Sequence, residues 1–548
     1  MQRTLLRQGL LCAALLACVH SSAATNTILK PETLKQLIKK LGYKDLDTGL
    51  GEYLLFSERI QQGFATSDWI ESCKKERNRS LCMVIEDYFE FANRSKKKKS
   101  RKEAVKRLGR LSIKKVSKYQ AESFQSLLNA LPSKDTKFLL SYANETAKKS
   151  TCPQNLSLAL AYELEPLAGS KKHFPLIEKL YKNGIACADP KDTSFELGNL
   201  RLGLIYTALG KEDEAIPFFK KALDAEFPRE DYRSIYWLAH LLRKKNPAEA
   251  EKYLNSMLEK YPLSWYSIVL LHEKGLDPMK MNLRSSDAPD VYTTSDKKTD
   301  IKFSWMKLGL LLEKDPYKLK KYAEYIADQI TPDIEYGYIQ HMSRLFHAAD
   351  LYKAQITILT RFSILSKAAL TEEALGYLYP APYLELFNLH GVELDTAIII
   401  GLARQESAFD VNAKSSANAQ GLLQMLPSTA RHMGAKSSKK LWSPSENIRF
   451  ASKFLIRLAK RFDNSIEKAM AAYNAGPSRV EQWEKDFGWI KDPELFVDMI
   501  PYRETRDYVP TILRNAYWYH RVYPGTLNIT KKEYVTSGLL KPLISKFK

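Results

Sequence analysis

A long succession of amphipathic helix patterns constrains the fold of this chain more than any other feature. From about Ile28 to Leu375, apolar residues recur at helical spacing, and polar turns separate one pattern from the next. The chain has 23 glycines in 548 residues, about 4%, whereas the usual share is roughly 7%. A low glycine content disfavours a turn-rich β architecture. We therefore predict an all-α protein, large enough to bury a core that needs no disulfides.

The clearest of these patterns predicts pairs of helices. It has the spacing of the tetratricopeptide repeat, and a second copy follows about 35 residues later, near the expected period of ~34. Small residues let adjacent helices approach closely, and large ones fill the space between pairs. We expect a tetratricopeptide-like, superhelical solenoid over residues 25–378, with a plain helical bundle as the alternative. The matching positions are Leu202, Gly203, Tyr206, Ala215, Phe219 and Ala222, and then Ala250, Leu254, Met257 and Pro262.

Residues 1–24 have the pattern of an export signal. Arg3 and Arg7 precede a short apolar run that ends in small residues. That run is too short to span a bilayer, and no later apolar run approaches ~18 residues. The alternative is a lipoprotein anchored through Cys18, although Leu16 is bulkier than the modification box prefers. We expect a periplasmic or secreted protein with no transmembrane segment in the mature chain.

The balance of charges suggests an anionic partner. Lys and Arg outnumber Asp and Glu by 84 to 63, which gives a formal net charge of +21, or +19 without the two arginines of the signal. The run from Arg94 to Arg107 is strongly basic, but a charge run is usually a solvated loop. No interleaved aromatic residues or DNA-binding motif accompany it, so we expect no nucleic-acid partner. Asn282 to Asp300 is polar and aperiodic, and is predicted to be an inserted loop.

Four cysteines follow the signal, and they allow three pairings. In an oxidising compartment we expect the local pairs Cys73–Cys82 and Cys152–Cys187, with four buried free thiols as the alternative. The sequence has neither a CxxC motif nor a cluster of His and Cys. We therefore expect no metal site.

The composition changes around Leu378 to Pro382, which marks a domain boundary. The helix that follows, from about Asp395 to Ser407, is apolar almost all round, as buried helices are. Glu406 lies three residues after Ala403, so its carboxyl extends an apolar face. Burial raises the pKa of a carboxyl, as a general acid near neutral pH requires. Glu406 is therefore a candidate catalytic acid, with an ion pair to Arg404 as the alternative.

Later segments combine helix ends with polar side chains. They are Gly421 to Pro427, Ser443 to Glu446, Ala472 to Pro477 and Ile500 to Val509. Ser443 to Glu446 matches a capping box that opens a helix. Tyr473 and Asn474 lie at a helix terminus, where polar groups can reach a cleft. The last segment leads into a final helix that ends near Tyr523.

These segments together resemble the soluble lytic transglycosylases of bacterial cell walls. The matching stretches are Ala403-Arg404-Gln405-Glu406-Ser407, Gly421-Leu422-Leu423-Gln424, Ala472-Tyr473-Asn474-Ala475-Gly476, and Glu504-Thr505-Arg506 with Tyr508. Each is weak alone, but the four occur in the family's order. The resemblance implies a lysozyme-like catalytic domain at residues 379–525, followed by a tail at 526–548.

The resemblance also assigns roles to single residues. Glu406 would be the catalytic acid and base, with Ser407 as its supporting neighbour, and Glu504 a second carboxylate that shapes the cleft. The other residues implied to bind substrate are Gln424, Leu426, Tyr473, Asn474 and Tyr508. The sequence departs from the family at Leu423 and Leu426, where many members have Met, and at Asn418, which replaces a common Gly but tolerates left-handed backbone. Pro510 suits the final helix only if that helix starts near Asp507.

One acid limits the mechanism, because a hydrolytic glycosidase normally uses two carboxylates. Nothing marks the nearby Asp410 as the second. In the family that the chain resembles, the substrate's own 2-acetamido group takes that place, and cleavage of the MurNAc–GlcNAc β-1,4 bond leaves a 1,6-anhydroMurNAc end without consuming water. The mechanism that the resemblance implies requires no metal or cofactor. The implied partners are peptidoglycan strands and, through the solenoid, proteins of cell-wall synthesis or remodelling. The alternatives are a goose-lysozyme-like hydrolase and a solenoid adaptor that only binds glycan.

Overall fold

The computed structural model describes residues 136–148, 156–276, 316–328, 336–365, 371–391, 393–527 and 538–544. The chain divides into two compact units, Met1–Glu163 and Leu164–Lys548. The described residues of the first unit form α1 (Thr136–Lys148) and most of α2 (Leu156–Leu164). Several predicted features lie outside the described residues, namely the export signal with Cys18, the basic run Arg94 to Arg107, Cys73, Cys82 and Cys152, and the loop Asn282 to Asp300.

The second unit starts with helices that pack in neighbouring pairs, as the repeat pattern predicts. They are α3 (Phe174–Cys187), α4 (Thr193–Ala208), α5 (Glu212–Ala222), α6 (Asp231–Lys245), α7 (Pro247–Lys260) and α8 (Trp265–Glu273). α4 packs along α5, and α6 packs along α7. A Cβ at Gly203 would lie 2.8 Å from the fully buried Phe219 ring, so an alanine there would displace the ring. The tetratricopeptide-like packing is confirmed in this region.

In the described residues from 316 to 378, four more helices precede the predicted domain boundary. They are α9 (Pro316–Asp328), α10 (Tyr336–Ala348), α11 (Tyr352–Leu365) and α12 (Glu372–Leu378), and α11 contacts the other three. Of the four mature cysteines, the structure describes Cys187 alone. It ends α3 and is disulfide-bonded. The predicted pairing and the predicted boundary at residue 378 stay predictions.

The C-terminal part packs around one buried helix. Its helices are α13 (Leu384–His390), α14 (Thr396–Ser407), α15 (Pro427–His432), α16 (Pro444–Arg461), α17 (Ile466–Ala475), α18 (Pro477–Phe487), α19 (Pro493–Asp498), α20 (Arg503–Val522) and α21 (Lys541–Ile544). α14 is buried almost all round, as predicted, and packs along α20. In the described ranges the β structure consists of two isolated bridges, which involve Lys414, Gln420 and Met425. The predicted all-α class is confirmed. Within these ranges, no helix combines the length and apolar character needed to cross a membrane.

α16 begins at Pro444, as predicted, but the predicted capping box is absent. Ser443 makes no side-chain cap, and Glu446 forms an ion pair with Arg449 instead. α20 begins at Arg503, not near Asp507, so Pro510 lies inside the helix. The helix tolerates this proline because the carbonyl group that Pro510 leaves unpaired finds another donor, described below.

Candidate active site

α14 brings Glu406 to the edge of the core. At the start of the helix, the Asp395 carboxylate accepts a hydrogen bond from the Ala397 N–H at 3.0 Å. The helix ends at Ser407 because Ala408 adopts left-handed backbone, with φ of 48°. Glu406 lies in the last turn and is half-buried. Its carboxyl therefore sits between apolar core and solvent.

The Glu406 carboxyl has a hydrogen bond but, among the described residues, no ion pair. The Tyr508 hydroxyl donates to Glu406 Oε1. Burial raises the pKa of Glu406 to about 7, the hydrogen bond from Tyr508 opposes the rise, and the neighbouring Glu504 carboxylate adds to it. Arg404 does not neutralise this carboxyl, because its guanidinium donates to Asn515 Oδ1 at 3.1 Å and lies over an aromatic ring.

The end of α17 meets the first turn of α20 beside this carboxyl. Asn474 Nδ2 donates to Glu504 Oε1 at 3.0 Å, and the Thr505 hydroxyl donates to Asn474 Oδ1 at 2.6 Å. Burial raises the pKa of both Tyr473 and Tyr508 well above the ordinary value, and the Glu406 charge adds to both shifts. Both phenols are therefore neutral hydrogen-bond donors at neutral pH. Glu504 is exposed, and its bond to Asn474 holds it at the same edge.

Three of the predicted residues hold one loop, residues 413–426, against the helices. The Tyr473 hydroxyl donates to the Leu423 carbonyl oxygen at 2.6 Å, and Ser407 Oγ donates to the Leu422 carbonyl oxygen at 2.7 Å. Gln424 has a positive φ of 44°, and its amide nitrogen donates to the carbonyl oxygens of residues 413 and 421 at 3.0 and 2.9 Å. The amide nitrogen of Gln424 is thus engaged within the loop itself.

Asn447 of α16 is a buried support of this loop that the sequence analysis missed. Its Oδ1 accepts from the Leu423 N–H at 2.9 Å, and its Nδ2 donates to the carbonyl oxygens of Gln420 and Leu441 at 2.9 and 2.8 Å. A Cβ at Gly421 would lie 2.2 Å from the Leu441 oxygen, and Gly421 has a positive φ of 77°, so this position requires glycine. The sequence signal that could have identified Asn447 is its amide side chain beside the apolar face of the predicted helix α16.

The residues that depart from the family pattern lie in different environments. Leu426 is 40% exposed at the start of α15 and is accessible to a ligand, whereas Leu423 is fully buried and belongs to the core. Asn418 adopts left-handed backbone with φ of 67°, which confirms that asparagine serves there.

Asp410 is engaged elsewhere. It forms an ion pair with Lys320 of α9, and it accepts a hydrogen bond from the Asn412 N–H at 3.1 Å. Of the two carboxyls, Glu406 is the one that has an apolar environment and no cationic partner within the described chain. In the same described ranges, no group of three or more His, Cys, Asp and Glu side chains could hold a metal ion.

A cavity of about 1070 Å³ lies at another place on the second unit. The ends of α16 to α19 and residues 538–541 line it, and none of these residues belongs to the four motifs. Its walls mix carboxylates such as Glu467 and Glu484 with lysines such as Lys468 and Lys491. This mixture defines no single ligand chemistry, and the cavity is separate from the site around Glu406.

Fold and site together define an all-helical chain whose lysozyme-like part presents the half-buried acid Glu406 beside the residues of the four motifs. Residues 388–496 match the family model "Transglycosylase SLT domain". The chain is 36% identical over 157 residues to the soluble lytic murein transglycosylase of Escherichia coli K12, which covers 27% of this chain and 24% of the relative. It is 34% identical over 169 residues to the putative soluble lytic murein transglycosylase of Haemophilus influenzae, which covers 29% and 28%. The chain thus spans about a quarter of the length of these curated relatives.

The likeness of the fold extends further than that of the sequence. The crystal structure of the 70 kDa soluble lytic transglycosylase from Escherichia coli superposes with a TM-score of 0.50 at 17% identity, covering 92% of this chain and 86% of that one. The complex of the 70-kDa soluble lytic transglycosylase with bulgecin A gives a TM-score of 0.51, also at 17% identity, covering 92% and 85%. The resemblance to soluble lytic transglycosylases that the motifs predicted is confirmed.

Proposed function

We propose that this protein is a peptidoglycan lytic transglycosylase that cleaves the β-1,4 bond between N-acetylmuramic acid and N-acetylglucosamine. The observation that carries the proposal is the Glu406 carboxyl, half-buried, without a cationic partner in the described chain, and with a pKa raised by burial to about 7. Near neutral pH such a group is present in both its acid and its base form, which suits a residue used twice in one reaction.

In the proposed reaction, one proton leaves Glu406 and one returns. Protonated Glu406 gives its proton to the glycosidic oxygen as the bond from C1 to that oxygen breaks. The 2-acetamido carbonyl of the same sugar stabilises the positive C1. The C6 hydroxyl then attacks C1 and loses its proton to the Glu406 carboxylate, which closes a 1,6-anhydro ring and restores the acid. Because Tyr508 donates to Oε1, Oε2 is the oxygen free to exchange the proton with substrate.

The remaining residues of the site bind and orient substrate in this proposal. Leu426 supplies exposed apolar surface, Asn474 and Glu504 form a polar pair at the edge, and Ser407, Gln424 and Tyr473 fix the loop 413–426. The proposed location is the periplasm or the exterior of the cell, where this substrate lies, with anchoring through Cys18 as the alternative. No cofactor takes part in the proposed steps.

Digestion of purified peptidoglycan, followed by mass spectrometry of the released muropeptides, tests the proposal. The wild type should release 1,6-anhydro products, and Glu406→Gln, which preserves shape but cannot transfer a proton, should lose at least about 10³-fold in rate. Glu481→Gln is the matched control, since it removes an exposed carboxylate that belongs to none of the four motifs and pairs with Arg461. Reducing ends in the products would favour a goose-lysozyme-like hydrolase. Binding without cleavage would favour the adaptor.

A further inference from the structure

The first turn of α20 has two faces with different neighbours. At 100° per residue, positions 504, 505 and 508 share one side of the helix, and positions 503, 506 and 507 share the other. The first side belongs to the candidate active site, where Glu504 and Thr505 bind Asn474 and Tyr508 binds Glu406. The position of Tyr508 against the acid thus depends on what holds the opposite side of the turn.

The opposite side is held by α6 and by the residue that precedes it. Arg233 is fully buried and lies 2.9 Å from both Asp498 Oδ1 and Glu230 Oε2, and 3.0 Å from Asp507 Oδ1. Glu230 also accepts a hydrogen bond from Arg506 at 2.8 Å. These carboxylates and guanidiniums are buried except for the partly exposed Asp507, and buried charges of this kind are stable only when they are all paired.

Pro510 makes α20 depend on Arg233. A proline has no N–H, so the carbonyl oxygen of Arg506, four residues earlier, has no donor within the helix. Arg233 Nη2 donates to that oxygen at 3.0 Å. An unpaired buried carbonyl group would be costly, and a side chain of the solenoid satisfies it. The helical geometry of α20 between Glu504 and Tyr508 therefore depends in part on Arg233 of α6.

The segment that leads into α20 is held in the same way. Asp498 accepts hydrogen bonds from Trp237 Nε1 at 2.8 Å and from the Tyr266 hydroxyl at 2.5 Å. Arg201 of α4 donates to the carbonyl oxygens of Asp498 and Met499 at 3.2 and 3.0 Å. Helices α4, α6 and α8 thus fix residues 498–507 from one side.

We propose that α6 and its N-terminal flank position the catalytic acid: Glu230, Tyr232 and Arg233 hold the first turn of α20 so that Tyr508 and Glu504 stay in place beside Glu406. These three are positioning residues and do not touch the substrate. The catalytic consequence rests on the proposed function. In this proposal the solenoid fixes the geometry of the active site, in addition to any role in binding glycan or partner proteins.

Two tyrosines, one turn apart on α6, provide a matched test. The Tyr232 hydroxyl donates to Asp507 Oδ1 of α20 at 2.8 Å, whereas the Tyr236 hydroxyl donates to Glu494 of α19. In the full-length protein, Tyr232→Phe should lower kcat on peptidoglycan at least about 5-fold with little change in KM. Tyr236→Phe removes a more deeply buried hydrogen bond and should leave kcat within about 2-fold. Equal losses in the two variants, or no loss in Tyr232→Phe, would overturn the proposal.

A second measurement does not need activity. The stability difference between Glu406→Gln and its parent, followed against pH by urea unfolding, reports the pKa of Glu406 in the folded protein. The same experiment is then done with Tyr232→Phe or Arg233→Gln as the parent protein. Water reaches the loosened site in these parents, so the pH midpoint of the stability difference should fall toward the ordinary pKa of a carboxyl group. A midpoint that stays the same in both parents contradicts the positioning role. A wild type that cleaves no peptidoglycan would refute the proposed function but would leave this result intact.

Discussion

At the scale of single residues, the proposed chemistry depends on the protonation state of the Glu406 carboxyl, which burial and the hydrogen bond from Tyr508 influence in opposite directions. Burial favours the protonated acid, and the hydrogen bond from Tyr508 favours the carboxylate. Burial is the stronger effect, and the resulting pKa of about 7 lies where a proton can be both given and taken near neutral pH. A fully exposed Glu would be almost entirely ionised there.

Removing the Tyr508 hydroxyl should move the pH profile upward. Tyr508→Phe deletes a hydrogen bond to the charged form of Glu406, so the carboxylate is less favoured and the pKa of Glu406 rises. A hydrogen bond to a charged group contributes roughly 1.5–3 kcal/mol, so we expect the pKa of Glu406 to rise by about one to two units. The alkaline limb of kcat against pH should shift by this amount. A limb that moves to lower pH would contradict the assignment of Glu406 as the acid.

Glu406 should also destabilise the folded protein at alkaline pH. Its pKa of about 7 lies above the ordinary 4.5, so the folded state binds more protons than the unfolded state between these values. The free energy of unfolding therefore falls as pH rises from about 4.5 to 7. Glu406→Gln removes this cost and should be more stable than wild type by about 2–3 kcal/mol at pH 8, but not at pH 4. Urea unfolding at both pH values measures the difference.

At the scale of elements, the sequence predicts the helices well and their connections less well. α14, α17 and the pair α4–α5 could be predicted because hydrophobic period, glycine and proline are local signals. The start of α20 could not, because a proline inside a helix is unfavourable until a distant arginine satisfies the freed carbonyl group. Among the site residues, Glu406 stood out through its apolar face. Asn447 did not, since its three hydrogen bonds reach backbone groups 6 to 27 residues away.

The loop 413–426 should lose its shape when Asn447 is truncated. Asn447→Ala leaves the buried Leu423 N–H and the Leu441 carbonyl oxygen without this partner, whereas the Gln420 carbonyl oxygen keeps its hydrogen bond from the Met425 N–H, so we expect a loss of about 3 kcal/mol in the free energy of unfolding. Activity should fall as well, because Tyr473 and Ser407 anchor on the same loop. Thermal unfolding and peptidoglycan digestion measure the two effects. Asn412→Ala is the control. Asn412 is exposed and directly precedes the loop, so this substitution should change neither the stability nor the activity.

At the scale of the whole molecule, buried charges join solenoid helices to the lysozyme-like part within the unit Leu164–Lys548. Asp498 alone binds an arginine and a tryptophan of α6 and a tyrosine of α8. A hydrophobic contact could slide, but a carboxylate with several directed donors fixes one register between the helices. The same carboxylate lies at the end of α19, five residues before the start of α20, the helix that carries Glu504 and Tyr508. Stability and the geometry of the acid are thereby coupled.

This coupling predicts how the unit Leu164–Lys548 unfolds. Asp498→Asn removes one of the carboxylates that neutralise the buried Arg233 guanidinium. Removing one partner of a buried ion pair typically costs about 3–5 kcal/mol. Calorimetry of the full-length protein should show the transition of this unit moving to lower temperature by several degrees. Glu481→Gln removes the same charge from an exposed pair with Arg461, which contributes about 0–1 kcal/mol, and should leave that transition nearly unchanged. Equal midpoints for the two variants would mean that the solenoid and the lysozyme-like part are stable independently, in which case the register of α20 against Glu406 would not depend on Asp498.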